Sequence, residues 1–207
     1  MTGVFITFEG GDASGKSTQA RLLGEWVTQR GRTVLLTREP GGTDLGLEIR
    51  QILLHREGDV SPRAEALLYA ADRAHHIETL VQPALERGEI VIQDRYIDSS
   101  VAYQGAGRVL EAEEIEKLSL WAARGLVPDL TVLLDLDPSV GRQRITNTGA
   151  ALDRLESEKL EFHERVRAAY RARAAAHPRR FLTIDAGLPI KNIAQKIRER
   201  VEPLLRS

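Results

Sequence analysis

The chain has 207 residues, 42% of them hydrophobic and 29% charged, with 29 Lys and Arg against 30 Asp and Glu. That composition suits one α/β domain with an ample core, and the near-neutral charge argues against gripping long nucleic acid by bulk charge while leaving room for a local basic pocket. The absence of cysteine excludes disulfides and thiolate metal sites, and no apolar run reaches the roughly 18 residues needed to cross a membrane. A reducing cytoplasm is the expected setting.

Val4–Phe8 is a short apolar run without a basic flank, which reads as a buried strand and not as a signal peptide. Lys16–Gln29 carries Ala20, Leu22, Leu23, Trp26 and Val27 at helical spacing and stops before Gly31. Thr33–Thr37 is a second strand, and Thr43–Leu54 a helix after a Gly-Gly turn. Arg63–Arg87 reads as one long Ala-rich helix, kinked at Pro83 by the lost hydrogen bond. Ile90–Gln93 is the third strand, Glu111–Arg124 an amphipathic helix, Leu130–Leu136 the fourth strand. Asp153–Ala175 is helical, Phe181–Ile184 the fifth strand, and Ile190–Leu205 the closing helix. Thr146–Ala151, polar and holding a glycine, is expected to be a mobile loop between two helices. Strands alternating with helices predict right-handed crossovers and a three-layer α/β fold with a parallel sheet, all in one domain over 1–207.

The chemistry starts at Phe8–Ser17, "FEGGDASGKS". Gly10, Gly15, Lys16 and Ser17 fit the pattern G-x-x-x-x-G-K-[ST] between a strand and a helix, the context that cradles phosphates. A nucleoside triphosphate is therefore assigned to Gly10, Gly11, Asp12, Ala13, Ser14, Gly15, Lys16, Ser17 and Thr18. Lys16 reaches the β- and γ-phosphates, and Ser17 serves Mg²⁺ together with Asp94. Arg38 ends the second strand and Arg95 follows the third, so two guanidiniums meet at the sheet's carboxyl edge beside this loop. A GTPase switch would carry an N-K-x-D segment, which is missing. A P-loop domain with a second anion site is best explained as a nucleoside monophosphate kinase. A nucleotide-binding regulatory module without phosphotransfer is the alternative from another class.

Five ordered motifs, "FEGGDASGKST", "REPGGT", "LLYAADR", "DRYIDSSVAYQGAGR" and "DRLE", resemble those of thymidylate kinases. The resemblance implies a P-loop fold of the nucleoside monophosphate kinase type, with a five-stranded parallel sheet and a short lid at about 142–156. It implies transfer from ATP to dTMP with Mg²⁺, giving dTDP for dTTP synthesis, by a homodimer that needs no nucleic acid polymer and no membrane. By the same resemblance Asp12 contacts the sugar 3′-hydroxyl, and Arg38 and Arg95 bind the acceptor phosphate. Tyr69 stacks on thymine, Arg73 hydrogen-bonds its O4, and Tyr103 crowds the 2′ position. Ser100 lies near the N3 side of the base, with Gln104 a second candidate. A related kinase with another base preference is the nearer alternative, since uracil differs from thymine by one methyl group.

Two places depart from the family pattern. Ala13 stands where glycine is common or arginine occurs, and the lid reads "GRQRITNTGAALDRLE", poor in arginine around Thr146–Thr148. Among Arg142, Arg144 and Arg154, Arg154 is expected to close over the phosphates as a catalytic group with Lys16, Asp12 and Arg95, and Arg144 to stack on adenine. His75 and His76 are read as surface or packing residues, and Arg165–Arg173 as a solvated basic helix face.

Overall fold

The computed structural model describes residues 3–108, 110–149 and 152–205. Five parallel strands form one sheet in the order β2-β3-β1-β4-β5: β1 Val4–Glu9, β2 Val34–Arg38, β3 Ile90–Asp94, β4 Leu130–Asp135 and β5 Phe181–Asp185. The central strands β1, β3 and β4 were legible because both their faces are covered, which makes each run nearly all apolar, whereas β2 and β5 at the edges are part-exposed. Even-numbered residues of β1 (Val4, Ile6, Phe8) meet α1 (Lys16–Thr28) and α9 (Ile190–Val201) in one core. Phe5, one step out of phase, enters a second core under α3 (Pro62–His76), α4 (Gln82–Glu86), α5 (Ile97–Ser100) and α6 (Ala112–Ala122). A third core gathers α2 (Asp44–His55) and α8 (Leu160–Ala176) around Leu133 and Tyr103.

Strand register fixes the active edge. Phe8 pairs with Asp94, and Arg38 pairs with Asp94 from the other side. The chain order reverses at β1, so the crevice beyond its carboxyl end lies at the switch point where open α/β sheets bind ligands.

Several boundaries differ from the sequence reading. The helix expected over 63–87 contains a π-helical stretch, Ile77–Val81, in which the Gln82 N–H reaches back to the Ile77 carbonyl. That wide turn arrives just before Pro83, which has no N–H to give, so the backbone widens where a kink was expected. Asp153–Ser157 is a turn, because Asp153 Oδ1 accepts from the N–H groups of Leu155 and Glu156, both at 2.8 Å. The helix α8 begins only at Leu160. Thr146–Thr148 belong to α7 (Pro138–Thr148), capped by Asp137 and ended by left-handed Gly149, while residues 150 and 151 of the expected loop lie outside the described residues. Ile97–Gly107 is helical, first α and then π, a stretch left without an element in the sequence.

Arg165–Arg173 is less solvated than its composition suggested. Arg167 binds Asp135 and Asp137, and Arg173 binds Asp98 and Glu116, so the basic stripe ties α8 to the sheet and to α6. Arg171 keeps the solvated position, with its side chain 65% exposed.

Gly10, with φ +137°, turns β1 into the phosphate loop where a Cβ would lie 2.4 Å from the Leu134 carbonyl oxygen. Neither backbone can yield without breaking the β1–β4 pairing. Gly10→Ala is expected to cost about 3 kcal/mol or more, read as a lower urea midpoint at unchanged slope.

Candidate active site

Three strand ends deliver the site: β1 through the loop Gly10–Ser17, β2 at Arg38, and β3 at Asp94 and Arg95. The loop takes left-handed backbone at Ala13 (φ 54°) as well as at Gly15 (φ 92°). Alanine at that position gives up the conformational freedom that the more usual glycine would have. Lys16 is buried and donates to the carbonyls of Gly10 at 3.1 Å and Gly11 at 2.8 Å. Burial, with the Arg95 charge beside it, pushes its pKa down to about 8. The negative charge of an incoming phosphate would oppose both effects and favour the protonated lysine.

Ser17 donates its hydroxyl to Asp94 Oδ2 at 2.6 Å, and Asp94 Oδ1 is buried with no hydrogen-bond partner. An orphaned carboxylate oxygen beside a hydroxyl is a hard-oxygen pair that fits Mg²⁺, an ion that keeps several waters and takes phosphate oxygens. Among the described residues there is no group of three His, Cys, Asp or Glu that could hold a metal.

Asp12, the acid inside the phosphate loop, does not face the donor phosphates alone. Its Oδ1 accepts from Arg95 Nη2 at 2.5 Å and its Oδ2 from the Tyr103 hydroxyl at 3.2 Å. Burial works to raise its pKa, but the Arg95 and Lys16 charges outweigh it and hold the carboxyl below its ordinary value. Arg95 itself has left-handed backbone, φ 67°, with its N–H on the Phe8 carbonyl at 2.9 Å. Its Nη1 also reaches Gly10 O, Ser99 Oγ and the Tyr170 hydroxyl at 3.2–3.4 Å. Behind them sits Glu9, which accepts from the Tyr96 N–H, Ser99 Oγ and Tyr170 OH. Burial, followed by the nearby Asp98 carboxylate, raises Glu9 to about 7.

A cleft of about 270 Å³ opens between these groups and α3, near the small end for small-molecule sites. Arg38, Arg50, Tyr69, Arg73, Tyr103 and Gln104 line it. Arg38 is exposed and makes no hydrogen bond or ion pair with the described residues, so its guanidinium is available to a ligand. Arg73 is 1% exposed; its Nε binds Glu39 at 2.9 Å and its Nη2 binds Ser100 Oγ at 3.1 Å. Its Nη1 is buried without a partner, a donor waiting for an acceptor. Glu39 is held in turn by His76 Nδ1 at 2.9 Å, which makes His76 a buried hydrogen-bonded link in the packing.

The expected donor-side and lid residues divide. Thr18 is exposed on the first turn of α1, and the Ser14 hydroxyl is buried with no partner. Arg144 bridges Ala13 O at 3.1 Å and Ala186 O at 3.2 Å, at the mouth of the phosphate loop. Arg142 lines a narrow gap between α7 and α8. Arg154 is turned elsewhere: its Nε donates to Leu53 O at 2.8 Å and its Nη2 to Glu65 Oε2 at 2.5 Å.

A phosphate loop facing a guanidinium-lined cleft across the end of a parallel sheet defines a P-loop nucleoside monophosphate kinase. The family model described as "Thymidylate kinase" matches residues 8–197. Thymidylate kinase of Clavibacter sepedonicus is 65% identical over 205 residues, covering 99% of this chain and 97% of that protein. That of Cutibacterium acnes is 53% identical, covering 99% of each. The crystal structure of thymidylate kinase from Ehrlichia chaffeensis superposes with a TM-score of 0.81 at 31% identity, covering 98% of this chain and all of that one. The chain belongs to the thymidylate kinase family.

Sequence reasoning missed the shell around the two key arginines. Glu9 gave one signal, an acid closing an otherwise mostly apolar strand. Glu39, Glu65, Ser99 and Tyr170 gave none, because their partners come from distant parts of the chain.

Lys16 yields a thermodynamic prediction. Below about pH 8 it is already protonated; above, triphosphate binding must draw a proton onto it. At pH 8 calorimetry in buffers of different ionisation enthalpy should show uptake of about half a proton, falling toward zero at pH 6.5. Affinity should decline as pH rises past 8.

Proposed function

We propose that the protein transfers the γ-phosphoryl group of ATP to dTMP, giving ADP and dTDP on the route to dTTP. The observation that carries this reading is Arg95, which touches the phosphate loop through Asp12 and Gly10 while lining the acceptor cleft. An acceptor monoester held by Arg38 and Arg95 would present one oxygen in line with the γ-phosphorus. That oxygen forms the new P–O bond as the bond to the β–γ bridging oxygen breaks. No general base is needed, since the acceptor oxygen already carries charge. Lys16 follows the β- and γ-oxygens as charge shifts toward ADP. Mg²⁺ at Ser17 and Asp94 would supply further neutralisation there.

Asp12 and Tyr103, hydrogen-bonded to each other, support contact with the sugar: the acid for the 3′-hydroxyl, the ring for exclusion at the 2′ position. Tyr69 and the free Nη1 of Arg73 suit a flat base with a carbonyl acceptor. The donor base lies by Arg144. Arg154 would have to exchange Glu65 for phosphate to serve the transferred group. A homodimer is part of this reading, supported by Leu67 (59% exposed) and Trp121 (78% exposed) on the adjacent helices α3 and α6. A cytoplasmic setting goes with the two substrates.

Coupled measurement of ADP release should show strict dependence on dTMP and on magnesium. Activity with dUMP should fall by about 10- to 200-fold, the value of one methyl group in a pocket. Release at equal rate without dTMP would overturn the reading in favour of a regulatory module. Arg95→Ala should lower kcat by about 10²–10³. Trp121→Glu should convert a dimer to monomer in sedimentation; an unchanged mass would remove α6 from the interface.

A further inference from the structure

Glu65 is fully buried on α3 and is the meeting point of three elements. Its Oε1 accepts from Gln104 Nε2 at 2.9 Å and from Arg108 Nε at 3.4 Å. Its Oε2 accepts from Arg154 Nη2 at 2.5 Å and Arg108 Nη2 at 3.4 Å. Each oxygen accepts from two donors, so the group faces its neighbours only as an acceptor. A side-chain amide can face such a group in one way, with its NH₂. Gln104 therefore has its nitrogen committed to Glu65, and the atom left to serve the cleft it lines is the carbonyl Oε1.

We propose that Glu65 is a specificity-determining positioning residue: by locking the Gln104 amide, it makes the cleft that the Arg73 donor also lines present an acceptor. Arg73 contributes its unpartnered Nη1. A donor and an acceptor in the same cleft match the adjacent C4 carbonyl and N3–H of a 4-oxopyrimidine. They oppose a 4-aminopyrimidine, whose N3 accepts and whose amino group donates. The inference rests on the dTMP reading and adds the element that sets the polarity of base recognition. It also explains why the Arg154 contact is shared: the carboxylate that orients the amide anchors residue 154 of the lid through the same oxygen pair.

Glu65→Gln keeps the shape and reverses the polarity. Arg108 and Arg154 would claim its carbonyl, its NH₂ would meet Gln104, and Gln104 would turn its own NH₂ to the cleft. In the full-length enzyme, the ratio of kcat/KM for dTMP over dCMP should fall by about 10- to 100-fold, through KM for the acceptor. KM for ATP should stay within about threefold. Glu65→Asp, which keeps an acceptor-only group, should retain most of the preference. A purely structural role would lower kcat and raise both KM values together with the dTMP:dCMP ratio unchanged, and that result overturns the inference. Should Glu65→Gln fail to fold, nuclear magnetic resonance of the unaltered protein decides. Adding dTMP should shift the Gln104 side-chain carbonyl carbon and leave its protected NH₂ protons in place; the opposite pattern overturns the inference. Unaltered enzyme with no preference for dTMP over dCMP sinks the function reading and this inference with it, a result distinct from an altered ratio in the variant alone.

Discussion

The ion pair between Asp12 and Arg95 joins the two loops that leave neighbouring strands of the sheet. Each partner is placed by backbone that few residues tolerate: a phosphate loop with left-handed turns at Ala13 and Gly15, and left-handed Arg95 after β3. Such backbone persists only where the surroundings over-determine it. Here the strand register does so, since Phe8 pairs with Asp94 and its carbonyl holds the Arg95 N–H. The pair thus fixes the distance between the phosphate loop and the neighbouring cleft. That is the pre-organisation a phosphoryl transfer depends on, because positioning and charge stabilisation do most of its work.

Around that pair the protein buries many charges and satisfies nearly all of them. Glu9, Glu39 and Glu65 each hold an arginine, directly or through hydroxyl groups. A buried carboxylate with its donors in place rigidifies, whereas one donor removed leaves an exposed cost. Two of the exceptions fall where ligand atoms are expected, while others, Asp72 Oδ2 and Arg198 Nε among them, lie outside the cleft. Asp94 Oδ1 and Arg73 Nη1 are buried and unpartnered, one an acceptor beside the phosphate loop, the other a donor in the cleft.

Sheet and helices were legible because the central strands β1, β3 and β4 are covered on both faces and the long helices carry stripes at helical spacing. The phosphate loop was legible because its spacing is set by local backbone. What sequence could not show was long-range pairing. Arg154 looks like a free lid cation until Glu65, distant in the chain, is found against it. The basic run in α8 looks solvated until Asp98 and Asp135 are seen opposite. The π-helical stretches were illegible for a different reason: their extra residue per turn changes no composition, only phase. Asp153 shows the remaining difficulty, where a side chain competes with the helix for the same N–H groups.

The two tryptophans sit in opposite environments. Trp26 packs in the core shared by α1 and α9, with the Arg30 guanidinium 3.8 Å from its ring centre, while Trp121 stands out on α6. Their fluorescence is therefore separable by colour and by quencher. The blue, shielded component follows unfolding of the nucleotide-binding core, and the red, quenchable one follows whatever covers the outer helix, so one optical cell resolves folding from assembly.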